Sequence, residues 1–196
     1  YDAEMPAVIS SVFRKLSIGS FTIRVNNRKI LQGYLESIGA HHISAEVLRV
    51  IDKLEKIGEA AVVSELVKLG VEEQVTQKLL AFLSTAGTVD EVLEQLGQVD
   101  TQNTRYLAGL EELRGVVDGM RRLGLPDEDY VIDLKIARGL DYYTGTVYET
   151  NLDDFPGVGS VCSGGRYDDL ASYYTKSKLP GVGVSIGLTR LFMQLK

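Results

Sequence analysis

Cysteine and histidine are nearly missing from this chain of 196 residues: Cys162 stands alone, and His41 and His42 are the whole histidine complement. A single cysteine excludes an internal disulfide and any multi-cysteine metal cluster, and so few histidines argue against zinc chemistry. No apolar run approaches the roughly 20 residues that a membrane-spanning helix needs. The first residues also lack the basic-then-apolar pattern of a signal peptide. The expectation is a protein without a membrane segment, working in a reducing cytoplasm. Basic charge is short as well, with 21 Lys and Arg against 27 Asp and Glu and a net charge of −6. Composition by itself therefore argues against a nucleic-acid binder. The deficit is uneven, however: residues 130–196 hold 7 basic and 7 acidic side chains, and residues 1–129 hold 14 and 20. Any polyanion site has to be local.

What is present is ordinary globular material, 44% hydrophobic and 24% charged, enough for one domain or a domain carrying an insertion. Ile9, Phe13 and Leu16 recur at helical spacing, and Phe21, Ile23 and Val25 alternate as a short half-buried strand. Asn26 and Asn27 read as an N-cap before a helix whose apolar face is Ile30, Leu31, Tyr34, Leu35 and Ile38. Residues 39–124 read as helical throughout, in stripes such as Leu48, Ile51, Leu54 and Ile57. Thr88 and Glu91 form a capping box within them. After Pro126 the texture changes: residues 130–136, 146–151 and 158–162 read as strands, Val182, Val184 and Ile186 as another, and residues 188–195 as a closing helix. Short successive strands favour an antiparallel sheet. The fold class is thus α+β, with residues 1–38 and 125–196 forming a core and 39–124 an all-helical inserted domain.

Three clusters in the strand-rich part carry chemistry. Arg138-Gly139-Leu140-Asp141-Tyr142-Tyr143 offers a cation, a carboxylate and two phenols on a glycine-flanked turn, able to grip a small polar ligand. The same residue types equally suit a turn with an Arg138–Asp141 ion pair and tyrosines packed inward. Ser163-Gly164-Gly165-Arg166-Tyr167-Asp168 carries paired glycines, which admit a ligand close to the backbone or simply make a turn. Finally, Gly181-Val182-Gly183-Val184-Ser185-Ile186-Gly187 runs as a strand into a helix with Arg190 in its first turn. Glycines along a strand suggest something flat lying against it, and such an arginine can reach a phosphate. The spacing fits neither a Rossmann nor a P-loop pattern.

In combination and order these strings resemble histidyl-tRNA synthetases. Residues 138–143, with Thr146-Val147-Tyr148-Glu149 beside them, are similar to the family's first histidine signature, and residues 163–167 to its second. Residues 181–191 resemble motif 3 of class II aminoacyl-tRNA synthetases. Upstream, Asp2-Ala3-Glu4 and residues 21–29 are similar to the stretch just past motif 2. The resemblance implies a partial class II catalytic core, an antiparallel sheet, interrupted by a helical domain that packs over the tRNA acceptor arm. Motifs 1 and 2 are expected before Tyr1 and an anticodon-binding domain after Lys196, so the chain alone is expected to make no adenylate.

The resemblance also implies partners and roles. The family joins L-histidine to ATP, with Mg²⁺, and transfers the histidyl group to tRNA(His), as a homodimer. Arg138 would be the catalytic cation, touching both histidine and ATP. Tyr142, Tyr143 and Tyr167 would line the imidazole pocket, and the backbones of Gly164 and Gly165 would close on the substrate. Gly187 and Arg190 would lie against ATP, and no protein metal ligand is implied. His41, His42 and Cys162 receive no role. Two other readings stay open: a synthetase-like paralogue without ligase activity, such as the regulatory subunit of ATP phosphoribosyltransferase or a sensor of histidine or tRNA, and a non-catalytic helical interaction module. Convergence of Arg138, Tyr143, Tyr167 and Arg190 on one sheet face separates the last from the others.

Overall fold

A computed structural model of the chain describes residues 1–40, 43–136 and 142–194. Helix α1 (Glu4–Lys15) leads into strand β1 (Phe21–Asn27), whose alternate side chains Phe21, Ile23 and Val25 are buried. At its end the Asn27 side chain accepts a 3.0 Å hydrogen bond from the Lys29 amide, capping helix α2 (Arg28–Ser37). Five shorter helices follow: α3 (Ser44–Ile51), α4 (Leu54–Ile57), α5 (Glu59–Lys68), α6 (Glu73–Leu83) and α7 (Val89–Gly97). The expected Thr88–Glu91 capping box opens α7. The 19-residue α8 (Thr104–Arg122) then returns the chain to the sheet. Strands β2 (Tyr130–Ile132), β3 (Thr146–Leu152), β4 (Cys162–Tyr167) and β5 (Gly181–Ile186) complete it, and α9 (Leu188–Gln194) follows.

The five strands lie in the order β2-β1-β3-β4-β5. Pairing is antiparallel from β1 through β5, as expected, but β2 runs parallel to β1. A parallel neighbour demands a crossover, and the helices from α2 to α8 supply it. Two strand expectations need correction. The strand expected over 130–136 stops at Ile132, because the carbonyls of Leu134 and Ile136 turn to the Asn26 side-chain amide instead of a neighbouring strand. The strand expected over 158–162 starts only at Cys162: Pro156–Val158 form a single 3-10 turn, and Gly159, at φ 71°, breaks the extended path.

One face of the sheet is covered by α1, α2 and α8. Ile9, Phe13, Ile23, Val25, Ile30, Leu31, Leu35, Leu113, Val117, Met120 and Tyr148 all fall at 2% exposure or less, which makes this layer the main core. Helices α2 and α8 cross there with backbones in near contact. A Cβ added at Gly109 would lie 2.8 Å from the Ile30 nitrogen, and one at Gly33 would lie 2.7 Å from the Tyr106 Cα. Only a residue without a side chain fits either position. Gly109→Ala should therefore destabilise the chain by about 1–3 kcal/mol through overpacking, despite a helix-propensity gain of about 1 kcal/mol. Chemical denaturation checks this, and a stabilised variant would refute the packing argument.

Two ion-pair groups fasten the return to the sheet. Arg121 bonds Asp90 at the start of α7 and Asp127 just before β2. Asp129, 5% exposed, accepts from Arg14 and Ser10 of α1. Burial alone would raise the Asp129 pKa, but these bonds outweigh it and hold the carboxyl below its ordinary 3.8. A depressed carboxylate contributes stability that is present above 3.8 and lost as pH falls through the folded value. Asp129→Asn should thus cost about 1–2 kcal/mol at neutral pH, the scale of a hydrogen bond to a charged group. Thermal melts should show the gap between variant and parent closing below pH 3.8. A gap independent of pH would remove charge from the explanation.

Candidate functional site

Strand register sorts the sheet into two unlike faces. Opposite the core, β1 presents Thr22, Arg24 and Asn26, and β3 presents Val147, Glu149 and Asn151. The same face carries Ser163, Gly165 and Tyr167 of β4 and Gly181, Gly183 and Ser185 of β5. It is the polar, small-residue face, and Tyr143, Gly165, Tyr167 and Gly181, drawn from the three sequence clusters, meet on it.

Tyr142, Tyr143 and Tyr167 come together there. The Tyr142 and Tyr143 rings are 4.6 Å apart, and the Tyr142 and Tyr167 rings 6.4 Å, both edge to face. Glycines make the floor. A Cβ at Gly165 would stand 3.0 Å from the Tyr143 ring, and one at Gly181, directly across from Tyr167, would stand 2.5 Å from its ring. The flat object expected against the glycines of β5 is thus, in this structure, the ring of Tyr167. Desolvation and the neighbouring Tyr142 phenol push the Tyr143 pKa well above the ordinary phenol value, so its hydroxyl stays protonated at neutral pH. The cluster is a set of half-buried neutral donors, suited to hydrogen-bonding a ring nitrogen.

Beside it the polar face is built from charge. Arg24 pairs with Asp133 at 3.2 Å, and the buried Asn26 holds the backbone at Leu134 and Ile136. A small, shallow cleft is lined by Arg24, Lys135, Ile136 and Glu149 from the sheet side. Ile51, Asp52 and Leu54 line it from the helical unit. The chain on both sides of residues 137–141 is therefore anchored at this face, by Asn26 on one side and the tyrosine cluster on the other.

Arg138 and Asp141 lie outside the described residues, as do His41, His42 and Leu195. Gly165 sits on the tyrosine face. Gly164 points the opposite way, against Val184 and the core, and offers the tyrosine face no Cα surface. Gly187 donates to the Val161 carbonyl, and Arg190, exposed in the first turn of α9, donates to the Ser160 carbonyl and folds back over Gly187. Four residues of extended strand, about 13 Å, separate Gly183 from Gly187, so the arginine and the tyrosines mark opposite ends of β5. Burial pushes the Cys162 thiol up to about 11, consistent with a packing role for that side chain.

Reading the residues in order missed Asn26, Arg24 and Asp2. Of Asn26 and Asn27, which together read as an N-cap, Asn27 caps α2 and Asn26 holds the backbone at Leu134 and Ile136. Strict alternation in β1 carried that signal, because Arg24 and Asn26 fall on the face opposite Ile23 and Val25. Asp2 was noticed only within a resembling string, and its bonds to Arg166 connect the two ends of the chain.

Among the described residues no helix is long and apolar enough to cross a membrane, and no group of three or more acidic, histidine or cysteine residues could hold a metal. The sequence profile of the histidyl-tRNA synthetase family matches residues 1–191. The histidine–tRNA ligase of Clostridium tetani is 52% identical over the whole chain, and that of Nostoc sp. is 48% identical. The chain spans 44% and 43% of the lengths of those two relatives. Among solved structures, the histidyl-tRNA synthetase from Nostoc sp. PCC 7120 superposes on the entire chain with a TM-score of 0.96 at 47% identity, over 46% of its own length. An ATP phosphoribosyltransferase regulatory subunit/histidyl-tRNA synthetase from Bacillus halodurans shares the fold, with a TM-score of 0.81 at 19% identity and 49% of its own length covered. A mixed sheet with tyrosines gathered over strand glycines, the profile match and these identities lead to one assignment: the chain belongs to the histidyl-tRNA synthetase family.

Proposed function

We propose that the protein containing this chain is a histidine–tRNA ligase, which activates L-histidine with ATP and transfers it to tRNA(His). The observation that carries this reading is the gathering of Tyr142, Tyr143 and Tyr167 over Gly165 and Gly181 on the polar sheet face. Protonated phenols in a half-buried pocket donate to the imidazole nitrogen and reject apolar analogues, which would leave those donors unpaired. The backbone of the Gly164-Gly165 pair flanks this pocket. Arg190 and Gly187, at the far end of β5, are placed for ATP, which arrives with its Mg²⁺. Arg138, in this reading, supplies a cation to the histidine carboxylate and the α-phosphate, opposing the charge that grows as carboxylate attacks phosphorus. Its flanks support this, since Ile136 and Tyr142 are both held at the polar face.

Residues 39–124 act in this reading as the helical domain that meets the tRNA acceptor arm. Its last helix, α8, is packed on α2 and β1, α7 touches β2, and Phe82 of α6 stacks on Tyr34 of α2, so the helical unit is joined to the sheet layer at several points. The parent enzyme is a cytoplasmic homodimer. A paralogue without ligase activity shares the fold, but the intact string from Arg138 to Tyr143 favours the ligase.

Histidine-dependent exchange of pyrophosphate into ATP by the full-length protein tests the proposal, and a pure protein that binds histidine without exchange would establish the paralogue instead. Arg138→Ala should slow single-turnover adenylate formation about 10²–10³-fold while changing ATP affinity little, by analogy with loss of one oxyanion donor. Arg138→Lys should recover only part, because a point charge cannot span two acceptors as a planar fork does. A folded Arg138→Ala enzyme with the parent's rate would remove Arg138 from the chemistry. Gly165→Ala should raise the histidine KM, because its Cβ would meet the Thr146 carbonyl at 2.6 Å and the Tyr143 ring at 3.0 Å, with steady-state kinetics beside a thermal melt as the check.

A further inference from the structure

The segment bearing Tyr142 and Tyr143 has no regular structure, yet its rings are packed to within ångströms of β4. Something must fix its height above the strand. The Thr144 amide donates to the Arg166 carbonyl at 2.8 Å, and the Thr144 hydroxyl donates to Asp168 at 2.7 Å. The next carbonyl, of Gly145, accepts from the Arg28 amide at 3.0 Å. Arg166 itself points away from the tyrosines, on the face opposite Tyr167 and Gly165. There its guanidinium makes a two-pronged pair with Asp2, with Nε to Oδ1 at 2.8 Å, and a third contact with Asp168 at 3.4 Å. Its stem runs beneath Gly145, where a Cβ would come 3.1 Å from the Arg166 Cδ. Asp2 is fixed in turn, since the Tyr148 hydroxyl donates to its carbonyl at 2.6 Å.

These bonds form one line, Asp2–Arg166–Asp168–Thr144, that passes from the start of α1 under the sheet to the residue beside Tyr143. We propose that Arg166, acting through Asp168 and Thr144, is a positioning residue that sets the tyrosine-bearing segment over Gly165 and so governs affinity for the imidazole of histidine. The inference rests on the functional reading above. The fork geometry matters, because one guanidinium serves Asp2 and Asp168 together whereas an ammonium reaches only one of them. The line stays charged: burial opposes the Asp2 charge, but Arg166 outweighs it and lowers the Asp2 pKa. Tyr142 and Tyr143 immediately precede Thr144, so any slack in Thr144 passes directly to the phenols.

The test uses pyrophosphate exchange by the full-length protein, with histidine and ATP varied separately and thermal melts alongside. Thr144→Val keeps the side-chain shape and removes the hydroxyl's bond to Asp168, with its weaker 3.5 Å contact to the Arg166 carbonyl. It should raise the histidine KM about five- to tenfold, the scale of one ordinary hydrogen bond, with ATP KM and kcat nearly unchanged. Arg166→Met should raise it further, and Arg166→Lys should restore part of the loss. If Arg166→Met does not fold, Thr144→Val and Arg166→Lys decide the matter between them. Lowered melting temperatures with an unchanged histidine KM in both would overturn the inference and leave Arg166 a structural ion pair. Absence of histidine-dependent exchange in the unmodified protein would instead sink the functional reading, and this inference with it.

Discussion

The contact on which the architecture turns is the crossing of α2 and α8 at Gly33 and Gly109. The chain leaves the sheet layer at the end of α2 and re-enters with α8, after more than sixty residues of other helices. Closing so long an excursion costs chain entropy that grows only slowly with length. Its two ends must nevertheless be held together by something firm. Two helices packed backbone to backbone provide that neck, and β2 then reaches its place parallel to β1. Arg121 and Asp129 secure the same junction from the outside, tying α7, α1 and the turn before β2 to one another. A change at the neck therefore reaches both the helical excursion and the sheet.

The sheet divides the labour between its faces. Its core side is ordinary packing of aliphatic side chains, broken by the ion pair of Arg166 with Asp2. On its other side Val147, itself buried, is the one aliphatic side chain that β1, β3, β4 and β5 present, and the glycines of β4 and β5 leave room for rings to lie flat. The proposed positioning and binding roles thus fall on opposite faces of β4. Successive residues make this possible, because Gly165 and Tyr167 face the pocket while Gly164 and Arg166 face the core.

Much of this was legible in the residues. Alternation in β1, the cap at Asn27 and the capping box at Thr88 and Glu91 all follow from local rules, and each formed as expected. The helical interruption was legible too, since its apolar spacing stays near 3.6 for its whole length. What escaped depended on distant partners. Nothing near Tyr130 says that its strand will pair parallel to β1, or that the backbone at Leu134 will find the Asn26 side chain instead of a strand. The site was legible as three strings and not as a geometry. Residue types left the tyrosines equally free to pack inward, and only register showed Gly165 and Gly181 beneath their rings. Arg166 was read as part of a binding string, although its charge is spent on the far side of the sheet.

Strand β5 ends the sheet: among the described residues β4 is its only partner. Its outer row of amide and carbonyl groups is a template for any extended backbone of suitable length. Small residues at Gly181, Gly183 and Ser185 do nothing to obstruct such an approach, and neither a proline nor a charge interrupts residues 181–187. Handled by itself at high concentration, this 196-residue chain should therefore be prone to edge-to-edge self-association. A soluble preparation depends on blocking that margin as much as on the integrity of the core.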